Sequence, residues 1–477
     1  MEVICYYYYQ EFENSDLESH INLEINLSYC YNKREEEFSD IDAKNISLKL
    51  EKCTNLEYLR LILNSLRIDS QLGFNLSSGF KNCKNLQSLE LSIDRKRGKN
   101  LVEQNLGAFL ENCSHLQELE INASCGDFFG ESALDLFSGL GKCLNLNSLV
   151  LKLFKNQLGD QECFKLASAI HNLQNLTSME LHLGMNEISN EGFRNLGEAI
   201  QNCKNLVSLN IKMSSSQLNE EKPFNYLLER IKYCQNLQTF IFDASYCDFH
   251  VDIIRRLGTL FQQCQVLKVN LSHNNFLNEE PDIIELHQGE NLLELDLDLS
   301  FSGLCSRDLE DLIKKISKNC FNLTDLRLCF NDIRIHAEDF ESICSSLAKF
   351  QNLQSLDLEL KESTLEDDCL QHFNSIFSLC AKLDKISLDL TKNQVNDLGA
   401  QNIGLAIKNL SKLSYLDLSF DANQFTLDGE CSFLSQIRKN EKIAIFKYFS
   451  CLENEEDQIF IIRNILKMNK LVIKQFQ

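Results

Sequence analysis

The pattern Leu-x-x-Leu-x-Leu recurs with its first leucine at Leu56, Leu86, Leu116, Leu146, Leu176 and Leu206, each 30 residues after the one before. It continues at Leu237, Val266, Leu292, Leu323, Leu353, Leu383 and Leu413 with spacings between 26 and 31, which makes 13 clear units. A degenerate copy starts at Ile443, and a partial one around Ile25 and Leu27 opens the series. A period of this size signals stacked supersecondary units. It lets a chain of 477 residues outgrow the usual size of one core without dividing into unrelated domains.

Within a unit the hydrophobic period changes. In residues 175–183, Met179, Leu181 and Leu183 alternate with Glu180 and His182, as in a strand with one buried face. In residues 190–203, Phe193, Leu196, Ile200 and Cys203 recur at three- or four-residue steps, which predicts a helix with one buried stripe. A lone strand-loop-helix unit cannot bury both faces, so the units must stack into a parallel sheet backed by helices. Because the helical side is bulkier, the stack is expected to curve with its strands on the concave face.

With these motifs the chain resembles the leucine-rich-repeat proteins, specifically the long-repeat class typified by ribonuclease inhibitor. The resemblance covers roughly residues 20–450. It implies an α/β leucine-rich-repeat solenoid, a curved horseshoe with a parallel β-sheet on the concave face and helices on the convex face. It also implies a non-catalytic scaffold that binds another protein. The expected organisation is an N-terminal cap and partial first repeat over 1–45, repeats over 46–448, and a C-terminal cap or tail over 449–477. The family's asparagine, three residues after the last strand leucine, is read at Asn274 and Asn331. At Asn156, Asn186, Asn393 and Asn423 it arrives two residues later, which suggests strands extended by one inward residue: Leu153, Leu183, Leu390 or Phe420.

The 20 cysteines invite a metal or redox reading, and the repeat supplies a different one. Cys53, Cys83, Cys113, Cys143, Cys203, Cys234, Cys264, Cys320 and Cys380 are assigned to the position three before the first strand leucine. Leu173, Phe350 and Leu410 hold it in other units. A position that accepts Cys, Leu or Phe selects for burial, and free cysteine behaves as a small hydrophobe. No Cys-x-x-Cys or accompanying His spacing occurs, so no metal is expected.

The formal charge of −22 opposes attraction to nucleic acid or anionic lipid. No apolar stretch approaches the roughly 20 residues of a membrane helix. The amino terminus lacks a basic n-region, so a cytoplasmic protein with reduced cysteines is expected. Asn175-Leu176-Thr177 matches the glycosylation pattern, but its Asn-Leu pair belongs to the repeat.

Signatures of catalysis are missing. "SGLGKC", residues 138–143, lacks the Gly-x4-Gly-Lys-Ser/Thr spacing of a phosphate loop. No zinc-protease or nucleophile-elbow motif occurs, and His182 reads as a solvated surface residue. No cofactor and no enzyme activity are expected. The alternative comes from GTPase-activating proteins of the Ran type, which also use long leucine-rich repeats. In that reading Arg95 or Arg97, in the basic loop 94–100, would act as an arginine finger.

Residues between and after the last two motif leucines should face away from the core. From the ninth unit onward these are Asp296 and Asp298, Arg327, Asp357 and Glu359, Ser387 and Asp389, and Asp417. The earlier units mix Glu90, Glu120 and Glu180 with Arg60, Lys152 and Lys212. Carboxylates on strands about 4.8 Å apart repel unless a cation offsets them. The candidate partner-binding residues are therefore Asp296, Asp298, Asp357, Glu359, Asp389 and Asp417, the expected partner a protein with a basic surface, and the chain a monomer.

Overall fold

In the computed structural model the described residues are 3–7, 9–27, 40–63, 77–93, 106–125, 128–215, 223–249, 252–276, 286, 289–408, 410–450, 452, 454–466 and 471–472. The chain packs as two compact units, Met1–Asp243 and Ala244–Gln477. In the first, strands Ile4–Tyr6, Asn22–Asn26, Tyr58–Ile62, Ser88–Ser92, Glu118–Asn122, Ser148–Lys152, Ser178–His182, Ser208–Lys212 and Thr239–Asp243 pair in parallel, each with the next. The second does the same with Val266–Asn270, Glu294–Asp298, Asp325–Cys329, Ser355–Glu359, Lys385–Asp389, Tyr415–Ser419, Ile445–Phe449 and Leu471–Val472. Both weak ends of the repeat are thus strands of these ladders. Each unit is an α/β leucine-rich-repeat stack. Among the described residues, no helix is long and apolar enough to cross a membrane.

Alternation does what the pleat requires. In Ser178–His182, Met179 and Leu181 are buried while Ser178, Glu180 and His182 are half-exposed. The helix Asn190–Ile200 turns Phe193, Leu196, Gly197 and Ile200 inward. Ser189 caps it by accepting the Glu191 N–H at 3.2 Å. Asp160, in the first turn of the preceding helix Asp160–Asn172, accepts the N–H groups of Ser189 and Gly192 at 2.9 and 3.0 Å, tying one unit's helix start to the next. A Cβ on Gly192 would sit 2.6 Å from that carboxylate, so only glycine admits the bond.

Where strand gives way to loop, the backbone needs partners that the sheet no longer offers. Asn186 provides them. Its amide donates to the carbonyls of Leu153 and Leu183, both at 2.9 Å, and its oxygen accepts the N–H groups of Asn156 and Leu158 at 2.9 and 3.0 Å. Asn393 repeats this with Leu360, Leu390, Ser363 and Leu365. Leu153, Leu183, Leu390 and Phe420 are fully buried, and their N–H groups extend the ladder beyond the strand, as the late asparagines suggested.

Two assignments change. Asn274 belongs with the late asparagines, because it follows the third inward residue, Leu271, by three and bonds Ala244, Leu271, Cys247 and Phe249 in the same way. Asn331 does not belong to the series. It follows Phe330 directly, donates to Glu359 and accepts the Lys361 N–H, and the equivalent ladder position is Ile333. Second, the register Val266↔Glu294 places Cys264 level with Leu292, so this cysteine stands in for the first leucine itself. The helix Asp252–Gln263 runs almost directly into the strand there, which removes the intervening turn.

The remaining repeat cysteines, with Leu173, Phe350 and Leu410, are buried. Cys83 Sγ lies 3.5 Å from the Leu50 and Gly79 carbonyls, and Cys234 Sγ is 3.4 Å from that of Ile200. The neighbouring asparagine is used as well: Asn85, Asn175 and Asn205 each donate to a turn carbonyl of the preceding unit at 3.0–3.2 Å. Asn175 is thereby committed within the stack. Burial raises the Cys143 and Cys203 thiols from 9.0 to about 12, where thiolate chemistry at neutral pH is suppressed.

Asn393→Ala should lower stability by about 2 kcal/mol or more, since it leaves several buried backbone groups without partners. Asn352→Ala, which removes only two exposed bonds, one to the Phe321 carbonyl at 3.4 Å and one from Lys382 at 2.7 Å, should cost less than about 0.5 kcal/mol. Urea midpoints of both variants check this. A second expectation concerns pH. The folded-state thiol values lie above the unfolded ones, so the contribution is complete below about pH 9 and is lost as pH climbs toward 12. Between pH 8 and 10.5 the Cys143→Ala/Cys203→Ala variant should lose less stability than the parent, by on the order of 2 kcal/mol per thiol.

Candidate functional site

The strand register of the Ala244–Gln477 unit sets the charged side chains of its outward face against one another. Arg327 lies directly between Asp296 and Asp357 on the flanking strands, with Glu359 diagonal to it. Its guanidinium reaches all three: Asp296 at 3.2 Å, Asp357 at 3.4 Å and Glu359 at 2.6 Å. Further along, Lys361 pairs with Asp389 at 3.0 Å and Lys447 with Asp417 at 3.5 Å. Tyr415 donates its hydroxyl to Asp417 at 3.0 Å, and its ring lies under the ammonium groups of Lys385 and Lys447.

Five of the six candidate carboxylates therefore already hold a cation of the same face. The repulsion expected from the sequence is offset internally. Asp298 alone among the six has no cation in ion-pair range among the described residues; its carboxylate accepts the Ser300 N–H at 2.9 Å. The carboxylates around Arg327 divide by proximity. Burial raises Asp296 and Asp357 above the ordinary carboxylate range, and Arg327, at the longer distances, only partly opposes it. For Glu359 burial acts in the same sense, but hydrogen bonds from Arg327 and Asn331 outweigh it and hold the carboxyl below its usual value.

The Met1–Asp243 unit uses the same device. Arg60 joins Glu24 and Glu90 at 3.4 and 2.8 Å, and Lys152 joins Glu120 at 2.5 Å. His182 is not simply solvated: it contacts Glu180 at 2.5 Å, and burial, then the Lys212 charge, lower its pKa. Arg95 and Arg97 lie outside the described residues. Among the described residues, no group of three or more His, Cys, Asp or Glu side chains is placed to hold a metal ion.

Beyond the sheet edge lies a feature that sequence reasoning missed. Among the described residues the backbone enters the left-handed region two residues after the third inward position, as at Met185, Tyr246, His273, Phe301, Asp332, Glu362, Lys392 and Ala422, with φ between 52 and 59°. Within the second unit the N–H groups of Tyr246, His273, Phe301, Asp332, Glu362 and Lys392 each bond into the following repeat, forming a one-residue ladder. Three consecutive rungs are aromatic and stacked. Tyr246 and His273 are 4.0 Å apart at 11°, and His273 and Phe301 are 4.5 Å apart at 8°.

Register, inward leucines and asparagine ladder together define a leucine-rich-repeat fold. No known protein-family profile matches the sequence, and no curated protein matches it. Among solved structures it is similar to a chain in the crystal structure of the Rad7 and Elc1 complex in yeast. That similarity is 16% in identity with a TM-score of 0.42, over 87% of this chain and 84% of that one.

Arg327→Met should destabilise by about 1–2 kcal/mol at pH 7, because it strands three half-buried carboxylates together. Stability carried by the depressed Glu359 is present above its unfolded pKa and lost as pH falls; the raised Asp296 and Asp357 act oppositely. In the variant all three lose their cation and accept protons more readily. The stability gap to the parent should therefore narrow between pH 7 and pH 4 in urea titrations.

Proposed function

We propose that this chain is a non-catalytic, cytoplasmic protein-interaction scaffold of the ribonuclease-inhibitor-like, long-repeat class. Its partner is a protein with a basic surface, which docks on the outward strand face of the Ala244–Gln477 unit. The observation that carries this reading is a charge imbalance held in fixed geometry: of the six candidate carboxylates on that face, five share three cations, Arg327, Lys361 and Lys447, and Asp298 pairs with none among the described residues. Ion pairs that orient the carboxylates reduce the ordering needed on binding. The surplus negative charge favours a cationic surface and speeds its encounter.

The internal pairs also decide how to test the proposal. Reversing Asp357 and Glu359 would set two new lysines beside Arg327 and perturb the fold. Asp298 is the cleaner position, because none of those pairs uses it. Once a partner has been identified by affinity purification and mass spectrometry, its affinity should fall as ionic strength rises over the range where the Debye length passes about 8–10 Å. Asp298→Lys should weaken it by about three- to tenfold, the size of a close charge pair, while the exposed Glu118→Lys in the other unit should leave it unchanged. An affinity indifferent to salt and to Asp298→Lys would show that the acidic row only solubilises the protein.

A further inference from the structure

We propose that the aromatic ladder Tyr246–His273–Phe301 and the carboxylate of Asp332 form a receptor for an arginine side chain of a protein partner, the guanidinium stacking on the free face of Phe301. This rests on the reading of the Ala244–Gln477 unit as a protein-binding surface and names the chemistry that the partner must carry.

The geometry is set by the backbone. The N–H groups of Tyr246, His273, Phe301 and Asp332 donate to Ser272, Ser300, Asn331 and Lys361 at 3.1, 2.9, 2.9 and 2.8 Å, so the four side chains leave a straight ladder as successive rungs. The first three rungs are rings stacked nearly parallel. The fourth, Asp332, is a shorter and exposed side chain on the rung that follows the last ring. Tyr246 is 56% and Phe301 41% exposed, an apolar surface that nothing in the unit covers among the described residues.

An apolar segment would cover the rings but bury Asp332 without a cation, which is costly. A nucleic acid could stack a base there, yet its phosphates would meet Asp298, Asp332 and Glu359. A lysine would satisfy the carboxylate as a point charge but has no plane to continue the stack. A guanidinium does both, since it is flat, weakly hydrated and able to bond a carboxylate while lying on an aromatic face. The next rungs do not compete with Asp332 for it, because Glu362 is paired with Lys392 at 2.7 Å.

The test uses the full chain and two probes, tetra-arginine amide and tetra-lysine amide, with binding followed by titration calorimetry at low salt. Tetra-arginine should bind about fivefold or more tightly than tetra-lysine, the expected scale of a cation–π contact. Phe301→Asn, chosen because asparagine tolerates the left-handed backbone, should erase that preference, and Phe301→Tyr should retain it. Asp332→Asn should weaken tetra-arginine more than tetra-lysine. Unchanged melting temperatures establish that the variants are folded. Equal binding of the two peptides to the parent protein, a preference that survives Phe301→Asn, or no binding of either peptide would each overturn the proposal. The scaffold reading is decided separately, by the response of the native partner to salt and to Asp298→Lys.

Discussion

Asn186, whose side chain makes five hydrogen bonds across two successive repeats, shows what every other feature of this chain depends on. A sheet satisfies its own backbone, and a helix satisfies all but its ends. The loops between them do neither, and in a stack of short units those loops are packed against their neighbours and cut off from water. Without a side chain that can donate and accept at once, each loop would bury unpaired amides, at a cost of about 1–3 kcal/mol per group. Asparagine is short enough to be held rigidly and carries both functions. Asn156, Asn274, Asn393 and Asn423 supply the same bridge elsewhere, and Ser363 takes part of the role by donating to the Phe330 carbonyl.

Because this bridge fixes the register, it also fixes the outward face. A strand offset by one residue would turn Arg327 into the core and Leu326 into solvent. With the register held, Arg327 necessarily stands between Asp296 and Asp357. The ion network is thus a consequence of repeat geometry acting on a few charged residues. Its contribution to stability is modest, since Arg327 is 41% exposed and its carboxylates 24–28%. It also holds the three carboxylates in one orientation on the outward face.

Much of this was legible in the sequence, for definite reasons. A buried position announces itself by what it tolerates, so Cys83, Leu173 and Phe350 identified a core site without any structure. Alternation likewise identified the outward carboxylates. Slips occurred where the repeat changes length. At Cys264 the loss of a turn moved the apparent start of the apolar pattern by two residues, and Val266, an outward residue, passed for the first leucine because it too is apolar. Asn331 imitated the ladder asparagine because its spacing from Leu328 matched, although the chain there places Ile333 at the equivalent point. The pairing of Arg327 was available from strand offsets alone; reading the carboxylates as a summed charge hid it.

The aromatic ladder was not legible, and the reason bears on how such a chain acquires specificity. Tyr246, His273 and Phe301 are 27 and 28 residues apart, off the dominant period, and nothing local marks their left-handed backbone. That conformation is imposed by the stack, since alanine, lysine, glutamate and aspartate adopt it in other repeats. A bulky residue in this region is unfavourable in isolation, but here the inter-repeat hydrogen bonds of the rungs from Tyr246 to Lys392 stabilise it whatever the side chain. The position is therefore constrained in backbone and unconstrained in identity: it points outward, buries little, and can change without disturbing the asparagine bridge behind it. Inward leucines and bridging asparagines are set by folding, whereas these rungs leave the side chain open, and the proposed arginine receptor rests on that freedom: two stacked ring pairs followed by a carboxylate stand where the fold itself requires no particular side chain.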